Sequence, residues 1–133
     1  MKHIEIGQII LNTFFNGRLL QELWEVCHCQ MIWEAIEKED AQIISQSEVE
    51  DLLRKVDSVL VLPEPLPSMY MGIEPAFREI SGKEILESGK CCDINDLFSI
   101  EPLYIVCLED SWMIVLTTEN TPAGDQLIAL LKA

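Results

Sequence analysis

The sequence predicts one α+β domain over residues 1–133, with helices packed on a small, mainly antiparallel sheet that includes a C-terminal hairpin followed by a last helix. Apolar residues recur at helical spacing near the N-terminus, which predicts helices there. Two strand-sized apolar runs late in the chain are separated by three polar residues, which predicts the hairpin. Hydrophobic residues make up 49% of the chain, a content typical of a folded protein and not of an acidic disordered one.

Two helices are predicted at the start of the chain. The first covers residues 4–15, and its apolar side includes Ile6, Ile10 and Phe14. Asn16-Gly17 is expected to end it, because both residues tolerate a left-handed backbone. The second helix is expected over residues 18–39, with an apolar face wide enough to contact more than one element.

The middle of the chain alternates start and stop signals. Ser47 and Glu50 have the spacing of a capping box, which predicts a short helix ending near residue 56. Residues 59–62 are typical of a β-strand, and the three prolines of residues 63–67 predict a rigid loop within the domain. A short helix over residues 75–80 and a turn over residues 93–98 are also expected.

The end of the chain provides the clearest signals. Residues 103–108 and 112–117 are apolar at nearly every position and are joined by Glu109-Asp110-Ser111, so we predict an antiparallel hairpin with both faces covered. A last helix is expected over residues 121–131, since Thr121-Pro122 resembles an N-cap followed by a first-turn proline. Its predicted buried stripe comprises Leu127, Leu130 and Leu131.

Charge limits the kinds of partner that the protein can bind. The chain has 23 Asp and Glu against 9 Lys and Arg, a formal net charge of -14. Such a protein repels nucleic acids and anionic membranes, so we expect a basic protein partner. The apolar runs are too short for a membrane helix, and the five cysteines, an odd number, favour a reducing cytoplasm over a secreted disulfide framework.

The sequence contains no recognisable catalytic or cofactor motif, so we expect neither an enzyme nor a bound cofactor. Cys27-His28-Cys29 is an unfavourable metal site, because residues two apart on a helix lie on opposite sides. Cys27 and Cys107 are expected in the core, and so are the three tryptophans. An enzyme that uses two carboxylates would need a deep pocket with convergent acids.

Acidic clusters are the remaining candidates for a binding site. They lie at the end of the second predicted helix, at the start of the third and at the hairpin tip. Their members are Glu37, Glu39, Asp40, Glu48, Glu50, Asp51, Glu109 and Asp110. A solvated surface would explain any one cluster, but the net charge exceeds the ~2–8 that suffices to keep a small domain in solution.

The chain resembles the small acidic immunity proteins that bacteria encode beside antibacterial toxins, including those of contact-dependent inhibition systems. The resemblance lies in size, acidity, the lack of catalytic motifs and the acidic turn before tryptophan in Leu108-Glu109-Asp110-Ser111-Trp112. It implies a cytoplasmic inhibitor, monomeric or homodimeric, that binds a basic cognate toxin such as a nuclease. The alternative is an adaptor or accessory module that binds another protein through an apolar patch.

Overall fold

A six-stranded antiparallel sheet organises the part of the chain that the computed structural model describes, which comprises residues 5–26, 28–36, 41–88, 103–117 and 127–133. The strand order is β1-β6-β5-β4-β2-β3. The elements in chain order are α1 (Glu5–Phe14), α2 (Leu20–Glu25), α3 (Ile32–Ile36), β1 (Gln42–Ile43), α4 (Gln46–Arg54), β2 (Ser58–Pro63), α5 (Leu66–Tyr70), β3 (Arg78–Ser81), α6 (Gly82–Ser88), β4 (Leu103–Cys107), β5 (Trp112–Thr117) and β6 (Leu127–Lys132). This arrangement confirms the α+β class.

Helices cover both faces of the sheet. Alternate residues of β4 enter different cores: Tyr104 and Val106 pack with α1, α2, α3 and α5, whereas Ile105 and Cys107 pack with α4 and α6. The same alternation holds in β5, where Met113 and Val115 belong to the first core and Trp112, Ile114 and Leu116 to the second. The predicted hairpin is confirmed, with Ile105 opposite Ile114, and the double coverage explains why its strands are apolar at successive positions.

The first helix follows the sequence prediction. Ile6, Ile10 and Phe14 are buried. Asn16 (φ 55°) and Gly17 (φ 72°) adopt the left-handed backbone, and the Gly17 N–H donates to the Leu11 carbonyl at 3.0 Å. The left-handed backbone at these two residues ends α1, so the predicted helix stop is confirmed.

The predicted single helix over residues 18–39 is wrong, because the helix is interrupted by a break between α2 and α3. His28 adopts a left-handed backbone (φ 57°), and the Cys29 N–H closes α2 by donating to the Leu23 carbonyl at 2.6 Å. The start of α3 is capped by carboxylates. Glu34 accepts from the Met31 N–H at 3.0 Å, and a Glu64 oxygen accepts from the Ile32 N–H at 2.9 Å.

The middle segment differs from prediction in register. The capping box is formed by Ser45 and Glu48, not by Ser47 and Glu50, so α4 begins at Gln46. Both pairs of residues have the Ser-x-x-Glu spacing of a capping box, so this spacing does not distinguish them. The proline segment is also more ordered than expected.

Two of its prolines lie inside regular elements. Pro63 is the last residue of β2, opposite Leu103, and Pro67 lies in the first turn of α5, where its missing N–H leaves no hydrogen bond unmade. The expected uninterrupted loop is therefore wrong.

Strands occupy parts of two further segments that were predicted to be helical. Arg78–Ser81 forms β3 at one edge of the sheet, in place of a helix over residues 75–80. Leu127–Lys132 forms β6, which lies between β1 and β5, in place of the end of the last helix. The rest of that predicted helix, residues 121–126, and the turn predicted over residues 93–98 lie outside the described residues.

Candidate functional site

The hairpin tip is an exposed, locally fixed acidic turn between β4 and β5. Glu109 and Asp110 are exposed there, and Ser111 adopts a left-handed backbone (φ 56°). The Asp110 N–H donates to Cys107 Sγ at 3.4 Å, a hydrogen bond that ties the turn to a buried strand residue. The two carboxylates are thus presented by a turn whose supporting strands are covered on both faces.

A shallow cleft of about 200 Å³ adjoins this tip. It is lined by Ser58, Val59, Leu60, Glu79, Val106, Leu108 and Glu109. Glu79 comes from β3, and its Oε2 accepts from Ser58 Oγ at 3.3 Å. Within the described part of the chain, no Lys or Arg forms an ion pair with Glu79, Glu109 or Asp110. We call these three residues the tip acids.

Sequence reasoning missed Glu79, because the segment around it was assigned to a helix. Recognition of Arg78–Ser81 as a strand after β2 would have placed Glu79 opposite Leu60. From that register the proximity of Glu79 to the end of the hairpin follows.

The acids of α4 are less available than those of the tip. The Glu48 carboxylate accepts from the Ser45 N–H at 3.1 Å as part of the capping box. Arg54 forms ion pairs with Asp51 at 2.8 Å and with Glu50 at 3.6 Å. A partner would have to compete with these contacts. Glu37, Glu39 and Asp40 lie outside the described residues.

The described cysteines are buried and form no metal cluster. Cys107 is buried as predicted, and so is Cys29, whereas Cys27 lies outside the described residues. Burial raises the pKa of the Cys107 thiol, which keeps it protonated and poorly nucleophilic. In the described ranges, no group of three or more His, Cys, Asp or Glu side chains is arranged to hold a metal ion.

Glu64 looks like a catalytic carboxylate at first, because it is half-buried and close to tyrosine. Tyr104 Oη donates to Glu64 Oε1 at 2.5 Å and accepts from the Trp33 N–H at 3.0 Å. The same carboxylate also accepts from the N–H groups of Ile32 and Leu66. These contacts connect α3, β4 and the start of α5, so the arrangement is that of a structural acceptor.

Trp24 is the tryptophan whose burial differs from the prediction. Trp33 and Trp112 are buried as predicted, but the prediction for Trp24 is wrong because 51% of it is exposed. Its ring contacts Tyr70 edge to face, with the ring centroids 5.0 Å apart. The break after α2 accounts for the difference, because the prediction placed Trp24 on the wide apolar face of one continuous helix.

No helix in the described ranges has both the length and the apolar character needed to cross a membrane. Comparison with protein-family models, curated proteins and solved structures finds no match to this chain.

Proposed function

We propose that the protein is a non-enzymatic inhibitor of the immunity-protein type, which binds a basic toxin, such as a nuclease, in the cytoplasm. The observation that carries the proposal is the group of tip acids, Glu79, Glu109 and Asp110, which are exposed and without a described ion-pair partner. They belong to a chain with a net charge of -14. A basic surface on a partner protein would be electrostatically complementary to the tip acids.

The physical argument concerns both the rate and the selectivity of binding. Carboxylates held on a covered hairpin need little reorganisation on binding, so their attraction to a basic cleft is not offset by a large ordering cost. Long-range attraction accelerates encounter with a basic protein, and like-charge repulsion disfavours acidic competitors. An inhibitor that must reach its toxin before the toxin reaches its substrate needs both properties.

The test is a comparison of two charge-reversal variants with the same net charge. Glu109→Lys/Asp110→Lys changes the tip, whereas Glu84→Lys/Glu87→Lys changes two exposed acids of α6. Each protein is used as bait in extracts of the native host, and bound proteins are quantified by mass spectrometry. We expect a basic protein to be captured by the wild type and the α6 variant and lost from the tip variant, with both variants as stable as the wild type within about 0.5 kcal/mol.

Equal capture by all three proteins would show that the tip lies outside the interface. In that case α4 and the acids of residues 37–40 become the candidates. Equal loss from both variants would mean that only the total charge matters, and the proposed site would be wrong.

An adaptor module is the second candidate, and the exposed Trp24 favours it. Capture that persists at high salt would support this class, because apolar contacts are not screened.

A further inference from the structure

Helices α2 and α5 form an apolar cleft that the fold leaves open. It has a volume of about 340 Å³ and is lined by Leu20, Gln21, Trp24 and Tyr70. Leu20 and Trp24 are four residues apart and therefore lie on the same side of α2. The edge-to-face contact of Trp24 with Tyr70 fixes one wall of this cleft. We call it the Trp24 cleft.

Further apolar residues are exposed at the ends of the same two helices. Leu19 precedes α2 and is 68% exposed, Val26 follows α2 and is 69% exposed, and Met71 follows α5 and is 72% exposed. Single exposed apolar residues are common, but an open apolar cleft with an exposed tryptophan in its wall is typical of a binding surface.

The surroundings of the cleft are negatively charged. Trp24 also lines a second cleft of about 290 Å³, together with Glu25, His28 and Gln30. Gln21 Nε2, at the edge of the Trp24 cleft, donates to Glu25 Oε2 at 3.2 Å. Glu25 forms no ion pair with a described Lys or Arg.

The pKa of Tyr70 is raised mainly by burial and, to a smaller extent, by nearby acidic groups. Burial, followed by the charges of Cys29, Glu64 and Glu34, raises the pKa of Tyr70 to about 12. Of these causes, only the carboxylates Glu64 and Glu34 would favour a positive charge nearby, since burial disfavours any charge.

These features select one kind of occupant. A second copy of the chain would bring another net charge of -14, which opposes association. A segment that carries an apolar side chain flanked by Lys or Arg would fill the cleft and place its cation near Glu25 and the Trp24 ring, where a cation–π contact is favourable.

We infer that the Trp24 cleft binds an apolar side chain of a basic, amphipathic segment of the partner protein. The inference rests on the proposed function in taking the partner to be basic, but it places an apolar anchor at a site separate from the tip acids. The tip would then control the approach of the partner, and the cleft would slow its dissociation.

Three fluorescein-labelled synthetic peptides of about 18 residues, or roughly five helical turns, serve as probes. One is an amphipathic Leu/Lys peptide, one replaces every Leu by Gln, and one replaces every Lys by Glu. Binding is measured by fluorescence anisotropy. We expect only the Leu/Lys peptide to bind well, and we expect it to protect the exposed Trp24 from acrylamide quenching, whereas Trp33 and Trp112 are already buried.

Matched variants locate the contact. We expect Trp24→Ala to weaken binding of the Leu/Lys peptide about tenfold or more, because a central aromatic residue dominates such interfaces, and Trp24→Phe to weaken it much less. Phe77→Ala removes another half-exposed aromatic residue and should have no effect. Glu25→Gln should weaken binding about threefold at low salt, whereas Glu84→Gln, which removes an exposed acid of α6, should not.

Several outcomes would overturn the inference. They are failure of the Leu/Lys peptide to bind, equal binding to wild type and Trp24→Ala, equal binding of the Leu/Glu peptide, and self-association of the free protein that Trp24→Ala abolishes. Loss of partner capture by the tip variant would still support the proposed function in each case. Conversely, an unaffected tip variant together with a weakened Trp24→Ala would refute the proposed site at the tip and retain the apolar one.

Discussion

At the scale of single residues, Tyr70 joins the stability of the fold to its surface. Its hydroxyl donates to the Cys29 carbonyl at 2.5 Å, across the break between α2 and α3, and its ring forms part of the Trp24 cleft. Because burial and nearby negative charges raise its pKa to about 12, the phenol remains protonated and keeps donating well above neutral pH. Tyr70 therefore holds the break and the cleft together.

This raised pKa predicts a pH dependence of stability. The ordinary pKa of 10.0 applies in the unfolded chain, so between pH 10 and about 12 the unfolded state releases a proton that the folded state retains. The free energy of unfolding should therefore fall as pH rises through this window. In Tyr70→Phe the fall should be smaller, as measured by urea denaturation at a series of pH values. Identical slopes for the two proteins would contradict the shift, since all other titrating groups are shared.

Residue identity alone could not separate the structural acids from the available ones. Glu64 accepts hydrogen bonds from three donors inside the fold, Ile32, Leu66 and Tyr104, whereas Glu109 lies on an exposed turn. Both follow a strand-sized apolar segment closely in the sequence. The exposure of Glu109 was predictable because a short polar connection between two strand-sized runs must lie at a hairpin tip. The role of Glu64 depends on Tyr104, which is distant in the sequence.

At the scale of elements, the predictions were confirmed where nearby residues in the sequence determine both the type of element and the point where it ends. The start of the chain has an apolar stripe and a left-handed stop, and the hairpin has two long runs with a polar turn. The break between α2 and α3 depends in part on a contact from a distant part of the chain. Glu64 caps Ile32 from 32 residues further along the chain, and this tertiary contact overrides the helical pattern.

The last strand shows a second limit of sequence patterns. Residues 127–131 are apolar throughout, so their spacing fits a helix stripe and a doubly buried strand equally well. The outcome depends on the free edge of β5, which β6 covers along its whole length from Trp112 to Thr117. A short sequence window contains no information about that edge.

The contact between α4 and α6 gives a stability prediction. A Cβ atom at Gly82 would lie 2.3 Å from the Leu53 carbonyl oxygen and 3.2 Å from that of Val56. Backbone atoms cannot move aside without separating the two helices, so Gly82→Ala should destabilise the protein by about 1–3 kcal/mol in urea denaturation.

Gly7→Ala is the matched control for this prediction. There the three atoms nearest to the new methyl group all belong to the flexible Met69 side chain, with Sδ at 2.6 Å. Alanine also favours the helix by about 1 kcal/mol, so we expect a net change of no more than about 1 kcal/mol in either direction. Wild-type stability of Gly82→Ala would show that α4 and α6 are packed less closely than described.

At the scale of the whole molecule, the described acidic residues fall into two groups, those that form an ion pair and those for which no ion pair is described. The described ion pairs of Arg18, Arg54 and Lys83 are all local and join residues three or four apart in the sequence. Among the described residues, the tip acids have no such partner. Because the chain has 23 acidic and 9 basic residues, most of its negative charge cannot be neutralised internally. The free protein therefore presents a negative potential that a basic partner would neutralise.

The most direct test of this account is the association rate of the protein with the captured basic partner as a function of ionic strength. We predict that the rate falls at least about tenfold between low and physiological salt, because screening shortens the Debye length to about 8 Å. The tip variant Glu109→Lys/Asp110→Lys should associate more slowly at low salt and with a weaker salt dependence. An association rate that stays constant with salt, in a complex that still forms tightly, would contradict electrostatic recognition of a basic partner.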